Sequence, residues 1–375
     1  MSATKNSQIV MIDGSEIIIE ACVRAGADAY VNYPITPSNW LNMYASKRFP
    51  VFAPAPDEIT TLQWLTGMAT AGRIPVTSTS FPGYALMIET MNMAFMMEMP
   101  LLIILVQRLG PSTGSATVGA EGDLMVLNGT ISGGYNFPVF CISNLEDCME
   151  LTAKALKVAV ELRTPVVLLT SKEMVMTTRS FDITKLADIK PLKRKIYAKD
   201  ETYLPYDFGE DMIPPFLPVG NNKHQVRINS STHDKLGVIR KATPEAINNT
   251  KRLRDKIENR IGEFTYYDLD SNEGDDTVIV TYGISSDPSR DALIKLRNKG
   301  KKVSLLVMKT MLPVPPEVVS IIDSFNQKLF VEENLPGLLV RLLYGYHIDA
   351  GVRQVNSIGK MITPTEIIKE VELWK

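Results

Sequence analysis

Residues 101–108 have the sequence LLIILVQR, in which six apolar residues are followed by a glutamine and an arginine. An apolar run of this length, without alternation, favours a β-strand that is buried on both faces. The run is also far shorter than the roughly 20 residues that a membrane-spanning helix needs. We therefore predict a central strand, with Arg108 at the point where it leaves the interior.

Similar apolar segments recur on both sides of this strand, and helix-like segments separate them. Buried strands that alternate with helices are typical of a parallel sheet covered on both faces. We predict helices capped by Ser15, Ser38, Asp57 and Asn144, because short polar side chains at these positions can accept the first free backbone N–H groups. The predicted strands lie within residues 28–32, 49–55, 74–80, 101–108, 137–143 and 165–171.

The remainder of the chain divides into two parts. A proline-rich stretch and a charged helical segment form a connecting region, and a second alternation of strands and helices begins near residue 277. The fold class predicted for the whole chain is α/β. The predicted domains are residues 1–180, a connecting arm and helix at 181–272, and a second α/β domain at 273–375.

Four strand exits carry unusual sequence. Parallel sheets bind ligands outside the carboxyl ends of their strands, so these exits form the candidate site. The stiffest of them contains Pro34 and Pro37, each of which removes a backbone donor and restricts the residue before it. We predict a rigid, extended loop there. The four exits are YPITPSN (33–39), PAPDE (54–58), SFPG (80–83) and RLGPSTG (108–114).

Two charged residues at these exits allow more than one interpretation. Glu58 lies in the first turn of a predicted helix, where a carboxylate is stabilised by the helix dipole alone. Arg108 fits an ordinary exposed arginine, but a guanidinium at a strand exit also suits a bidentate clamp for a carboxylate substrate. The residue types by themselves leave these alternatives open.

Composition excludes several classes of function. The chain has 375 residues, is 45% hydrophobic and carries a formal net charge of −2, which suits a globular protein and argues against nucleic acid as a ligand. Its three cysteines lack the spacing of a zinc or Fe–S site. With no signal peptide evident, we expect a cytoplasmic protein with no membrane partner. The motifs GxxxxGK[ST] and GxGxxG are both absent, which argues against a nucleotide-binding protein.

Several short motifs occur in an order that is more specific than any one of them. On these motifs the chain resembles the alpha subunit of 2-oxoacid:ferredoxin oxidoreductases, in particular the 2-oxoglutarate:ferredoxin type. The likeness covers nearly the whole chain. The motifs are YPITPS (33–38), DEI (57–59), LLIILVQR with GPSTG (101–114), EGD (121–123), PPFLPVG (214–220), THDKLG (232–237), TYG (281–283), MKTMLPVP (308–315) and VEEN (331–334).

The resemblance implies a thiamine-diphosphate enzyme. Such an enzyme decarboxylates a 2-oxoacid, passes two electrons through Fe–S clusters to ferredoxin and delivers the acyl group to coenzyme A. The alpha subunit holds the pyrimidine-binding half of the thiamine site, followed by a domain similar to the transketolase C-terminal domain. A beta subunit is expected to hold the diphosphate and Mg²⁺ through a GDG motif, which this chain lacks. The 4Fe–4S clusters are expected on partner subunits, with gamma and ferredoxin-like delta subunits as separate chains.

The resemblance also assigns roles to particular residues. Glu58 matches the glutamate that hydrogen-bonds the aminopyrimidine ring and favours the tautomer that can accept a proton. Thr36 matches a threonine that faces the substrate carboxylate, and Arg108 matches the arginine that pairs with it. The remaining predicted cofactor-binding residues are Pro34, Ile35 and Gly83.

One departure from the family pattern concerns the substrate. Where relatives have SGPG, this chain has SFPG, which places Phe81 where the backbone usually approaches the ligand closely. Phe81 narrows the predicted pocket or favours an aromatic or branched substrate. It also keeps open the alternative of a non-catalytic scaffold or regulatory paralogue that retains the subunit interface without turnover.

Overall fold

The computed structural model of the chain describes residues 7–374. Among these residues, the larger sheet has seven strands, and all neighbouring pairs are parallel except the pair at one edge. Strands and helices are numbered in chain order. In sheet order the strands are β12 (Thr310–Leu312), β6 (Val139–Cys141), β7 (Pro165–Ser171), β5 (Leu101–Gln107), β4 (Pro75–Thr79), β2 (Ala29–Asn32) and β3 (Val51–Pro54).

Strand β5 lies in the middle of this sheet, between β7 and β4, and all of its residues are buried. Its continuous apolar run is explained by this position, because a central strand meets packed side chains on both faces. The helices of this unit are α1 (Gly14–Arg24), α2 (Asn39–Arg48), α3 (Glu58–Thr70), α4 (Phe81–Met96), α5 (Leu124–Asn128), α6 (Leu145–Leu162) and α7 (Lys172–Met176). Helices α3 and α4 pack together, and α1 packs against both α2 and α6.

The helix caps follow the sequence prediction at two sites. Asp57 caps α3 and Asn144 caps α6, each by accepting a backbone N–H three residues further on. The prediction for α1 is wrong, because Asp13 provides the cap and Ser15 instead donates to the Val175 carbonyl at 2.7 Å. Ser38 precedes α2, but its hydroxyl makes no cap hydrogen bond.

The second sheet has five strands in the described part of the chain, and only its edge strand β9 is antiparallel to its neighbour. In sheet order these are β14 (Val352–Asn356), β13 (Gln327–Glu332), β10 (Thr277–Thr281), β11 (Val303–Met308) and β9 (Tyr267–Asp270). The associated helices are α9 (Ser286–Asn298), α10 (Pro316–Asp323), α11 (Leu338–Tyr344) and α12 (Pro364–Glu372).

The connecting region lacks helices and strands over residues 186–242, apart from an isolated bridge between His233 and Ile239. Helix α8 (Pro244–Glu258) follows it, and a short antiparallel pair joins β1 (Ile9–Ile12) to β8 (Arg179–Asp182). The domain division at residues 180 and 272 stays a prediction. Strands β12 and β9 both cross that division: β12 pairs with β6 and extends the first sheet, and β9 precedes residue 272 but pairs with β11 in the second sheet.

Candidate active site

The four strand exits singled out in the sequence lie side by side. Strands β3, β2, β4 and β5 are consecutive neighbours in the sheet and run parallel, so their carboxyl ends share one edge. The backbone N–H of Ala55 also donates to the Asn32 carbonyl at 2.8 Å, which joins the loops after β3 and β2. The candidate site is therefore a continuous edge of the sheet.

The loop after β2 is extended at first and then turns. Residues 33–35 have no regular structure, and residues 36–38 form a turn in which the Thr36–Pro37 peptide bond is cis. Both the backbone N–H and the hydroxyl of Ser38 donate to the Ile35 carbonyl, at 2.9 and 2.8 Å. The prediction of an extended loop is thus correct only for its first half, and hydrogen bonds as well as prolines hold its second half.

Thr36 and Arg108 come together at this turn. Arg108 Nη1 donates a hydrogen bond to the carbonyl oxygen of Thr36, so the two residues are linked through the backbone. The Thr36 hydroxyl, which is half-buried, accepts from Asn39 Nδ2 at 3.1 Å. A threonine hydroxyl and a guanidinium therefore lie at the same end of the sheet, as a carboxylate-binding pair requires.

Glu58 and Gly83 form the second close pair. Glu58 is the first residue of α3, and Gly83 lies in the first turn of α4. A Cβ atom added at Gly83 falls 2.6 Å from Glu58 Oε1 and 2.2 Å from Thr79 Oγ1, closer than real atoms approach. Gly83 thus lets the two helices meet around the Glu58 side chain.

The Glu58 carboxyl lies in an environment that favours its neutral form. The residue is only 6% exposed, and no cation pairs with it among residues 7–374. Burial is the main cause that raises its pKa above the ordinary value; its own backbone N–H opposes the shift and Asp57 adds to it. Such a carboxyl retains its proton to higher pH and can donate an O–H to a ring nitrogen.

The other predicted residues occupy the rim. Pro34 is exposed and Ile35 is half-buried, and Ile35 contributes its carbonyl to the turn. Phe81 is half-buried at the start of α4. Within the described residues, neither a hydrogen bond nor an ion pair connects the Glu58–Gly83 pair to the Thr36–Arg108 pair.

Two buried acids in the loop after Arg108 were not among the residues predicted from the sequence. Asp123 is buried, and its backbone N–H donates to Gln107 Oε1 at 3.4 Å. Glu121 is fully buried where the first unit, built on the seven-stranded sheet, meets the second unit, built on the five-stranded sheet. Its Oε2 accepts hydrogen bonds from Ser285 Oγ and Glu333 N, both at 2.8 Å. The EGD motif contains both acids, but no local pattern indicated that they are buried.

Glu121 fastens the loop after β5 to the second unit. Its backbone N–H donates to the Glu333 carbonyl at 2.9 Å, and its carbonyl accepts from Tyr282 and Asn334, both at 3.1 Å. Burial raises the pKa of Glu121 to about 8, with Glu333 Coulomb repulsion adding to the shift. The second unit therefore helps to fix the loop that ends at Asp123.

The described residues show neither a metal site nor a membrane-spanning helix. Residues 7–374 contain no group of three or more histidine, cysteine, aspartate or glutamate side chains arranged to hold a metal ion. Over the same range, none of the helices has both the length and the apolar character to cross a membrane.

Comparison with known proteins identifies the family of the chain. The family described as pyruvate flavodoxin/ferredoxin oxidoreductase, thiamine diphosphate-binding, matches residues 20–252. The 2-oxoglutarate synthase subunit KorA of Methanothermobacter thermautotrophicus is 29% identical over 371 residues, which cover 96% of this chain and 97% of that protein.

Solved structures give the same result. The 2-oxoglutarate:ferredoxin oxidoreductase of Magnetococcus marinus, with 2-oxoglutarate, coenzyme A and succinyl-CoA bound, superimposes with a TM-score of 0.89 at 26% identity. The match covers 98% of this chain and 65% of that one, so this chain spans about two thirds of its length. A split-gene transketolase matches with a TM-score of 0.53 at 14% identity over 96% of this chain, which shows a shared fold.

The fold and the matches define a thiamine-diphosphate-binding oxidoreductase subunit. This chain belongs to the pyruvate flavodoxin/ferredoxin oxidoreductase family. The predicted family and the predicted α/β fold class are confirmed, including the likeness to transketolase. The chain is one subunit of a larger enzyme, since its relatives are named as subunits.

Proposed function

We propose that this chain is the alpha subunit of a 2-oxoacid:ferredoxin oxidoreductase, with 2-oxoglutarate as the preferred substrate. In the proposed reaction the 2-oxoacid loses CO₂, its acyl group passes to coenzyme A, and two electrons pass to ferredoxin. The names of the relatives, 2-oxoglutarate synthase and 2-oxoglutarate:ferredoxin oxidoreductase, support this reaction over the scaffold alternative.

The single observation that carries the proposal is the buried Glu58 carboxyl. It has no cation partner in the part of the chain described, and Gly83 keeps the space beside it free of a side chain. A carboxyl of this kind suits the ring nitrogen of the aminopyrimidine. Bound thiamine diphosphate supplies the carbon that attacks the 2-oxo group. Glu58 holds a proton at the ring nitrogen, and Pro34 and Ile35 shape the loop that faces the cofactor.

Thr36 and Arg108 are proposed to bind the substrate carboxylate. Arg108 Nη1 donates a hydrogen bond to the Thr36 carbonyl, and this bond fixes the guanidinium plane relative to the threonine. A planar guanidinium held in this way presents its other N–H groups in a constant direction. Orientation of the substrate within a few tenths of an ångström contributes directly to the rate.

The finer composition of the enzyme is also a proposal. We place Mg²⁺ and the diphosphate site on a beta subunit, and the 4Fe–4S clusters on partner subunits. Gamma and ferredoxin-like delta subunits complete the assembly, which acts on ferredoxin and coenzyme A. The cytoplasmic location stays a prediction.

The proposal is tested on the affinity-purified complex under anaerobic conditions. Mass spectrometry identifies the subunits, and reduction of a viologen dye is followed with coenzyme A and a panel of 2-oxoacids. We expect turnover with 2-oxoglutarate in the presence of coenzyme A. An assembled complex that turns over none of the acids overturns the enzymatic role and favours the scaffold, and activity restricted to branched or aromatic acids overturns the substrate.

The role of Arg108 is tested separately with Arg108→Ala. The variant loses the charged hydrogen bonds between Arg108 and the substrate carboxylate, which contribute about 1.5–3 kcal/mol to binding. KM for the 2-oxoacid is therefore expected to rise by about 10- to 100-fold. The affinity for thiamine diphosphate is expected to change little. If both affinities fall equally, Arg108 supports the whole site and does not clamp the substrate.

A further inference from the structure

Arg108 and Asp123 lie at the two ends of the loop that joins β5 to α5, and both residues are buried. Asp123 immediately precedes α5, and its backbone N–H is held by Gln107, the residue before Arg108. Glu121, two residues earlier, is fastened to the second unit. The main chain of Asp123 is therefore fixed from both sides, at β5 and at the contact between the units.

The Asp123 carboxylate is buried without a satisfied set of hydrogen bonds. The residue is 5% exposed, and no donor reaches its Oδ2 from anywhere in residues 7–374. It also makes no side-chain cap to α5, although it occupies the cap position. A buried carboxylate oxygen without a donor is costly, so a structural role alone explains it poorly.

The Arg108 guanidinium is also buried with an unsatisfied polar atom. It is 6% exposed, and its Nε has no acceptor in the described part of the protein. Within residues 7–374 the guanidinium makes one hydrogen bond, from Nη1 to the Thr36 carbonyl. Arg108 and Asp123 are thus two buried opposite charges that do not form a direct ion pair.

Each charge nevertheless affects the other. Burial raises the pKa of Asp123 to about 7, and the positive charge of Arg108 limits the rise. Burial lowers the pKa of Arg108, and Asp123 opposes that shift. Tyr84 and Tyr282 also interact electrostatically with Asp123, and burial raises the pKa of both phenols, so both are neutral near pH 7.

We propose that Asp123 is the internal counter-ion of Arg108, and that it takes up one proton from solvent when the 2-oxoacid carboxylate binds Arg108. This inference rests on the proposed function, because it needs Arg108 to bind the substrate. Asp123 is a positioning residue in this scheme. It balances Arg108 in the free site and becomes neutral when the substrate supplies the negative charge.

The direction of the pH effect follows from proton linkage. Below about pH 7 Asp123 is already protonated in the free site, so the substrate binds without proton uptake. Above about pH 7 Asp123 is ionised, and each binding event must take up a proton. KM for the 2-oxoacid is then expected to rise by about tenfold per pH unit, because one proton is bound with each substrate.

The first test compares the complex carrying Asp123→Asn with the wild-type complex. KM for 2-oxoglutarate is measured between pH 6 and pH 9, with kcat recorded separately. The wild type is expected to show the rise above about pH 7, and Asp123→Asn is expected to give a nearly constant KM. The matched control is Asp147→Asn, a buried carboxylate that pairs with Lys309 away from this site. The control is expected to keep the wild-type rise.

A second test needs no Asp123 variant and no turnover. Calorimetric titration of 2-oxoglutarate into the Glu58→Gln complex at pH 8, in two buffers of different ionisation heat, counts the protons taken up. About one proton per site is expected from the linkage. Zero uptake, or an unchanged pH slope in Asp123→Asn, overturns the inference. A wild-type complex inactive on every 2-oxoacid overturns the proposed function instead, which distinguishes the two failures.

Discussion

Two buried glutamates on neighbouring helices differ in their surroundings. Glu58 begins α3 and has no cation partner within residues 7–374, whereas Glu98 follows the end of α4 and contacts both Arg252 and Lys256. Glu98 is fully buried, with Lys256 Nζ at 2.7 Å from Oε2. Burial alone raises the pKa of both carboxyls, but at Glu98 the two cations reverse the shift and hold the pKa well below its usual range.

The difference separates a structural carboxylate, Glu98, from one that is proposed to be functional, Glu58. At Glu98, the cost of burial is offset by two positive charges, which fasten α8 to the end of α4. At Glu58 no cation within residues 7–374 offsets the cost of burial, and the helix dipole and the residue's own backbone N–H offset it only in part. A buried acid of this kind at a predicted ligand-binding edge is a candidate functional group.

The largest expected effect comes from Glu58→Gln. The amide preserves the shape of the side chain but cannot exchange a proton with the ring nitrogen. We expect turnover to fall by about 10²- to 10⁴-fold, the usual contribution of a positioned acid or base. Thermal stability of the complex is expected to stay the same or rise, because a buried carboxyl without a cation partner is removed. Stopped-flow reduction of the dye and a melting curve measure the two effects.

The control for this change is Glu89→Gln on α4, where the side chain is exposed. It makes the same Glu→Gln change on a helix next to Glu58 and is expected to leave turnover unchanged. Near-normal turnover in Glu58→Gln contradicts the role given to Glu58. If Glu58→Gln lowers the stability of the complex as much as Glu98→Gln does, the contrast drawn between Glu58 and Glu98 is wrong.

The opposite pattern is expected for Glu98→Gln. Arg252 and Lys256 then remain buried with one charge fewer to balance them, and breaking a buried ion pair in this way costs about 3–5 kcal/mol. We expect faster hydrogen exchange of the α8 amides in the assembled complex, with turnover per folded complex retained. The exposed Glu258, at the end of the same helix, pairs with Arg254 at 3.6 Å. Glu258→Gln is the matched control, and its effect is expected to stay within about 0.5 kcal/mol.

Much of the candidate site at the edge of the seven-stranded sheet could be predicted from local sequence. The run LLIILVQR specifies a buried strand and places Arg108 at its exit, and Asp57 has the cap signal of α3. The parallel-sheet rule then brings the exits together without any knowledge of contacts. Local chemistry and topology suffice there, because each residue depends on its own strand or helix.

Features that depend on distant contacts could not be predicted. Glu98 meets Arg252 and Lys256 more than 150 residues further on, and no periodicity connects them. Asp13, rather than Ser15, caps α1 because the carbonyl of Val175 captures the serine hydroxyl. The burial of Glu121 depends in the same way on Ser285 and Glu333, which lie more than 150 residues further on. A single sequence records such residues but not their partners.

The smallest effect is expected for Gly83→Ala, which adds a methyl group beside Glu58 without changing any charge. The new methyl group meets Glu58 Oε1 and Thr79 Oγ1 at distances that force one of them to move. We expect a loss of about 1–3 kcal/mol from overpacking and a fall in kcat of about tenfold, since the Glu58 carboxyl shifts from the ring nitrogen. Gly67→Ala is the matched control, because it lies within α3 and its added methyl meets no atom within 4 Å. That change is expected to stabilise the helix by about 0.5–1 kcal/mol and leave kcat unchanged. Equal kcat values in the two variants mean that Glu58 tolerates displacement, and its role then rests on charge alone.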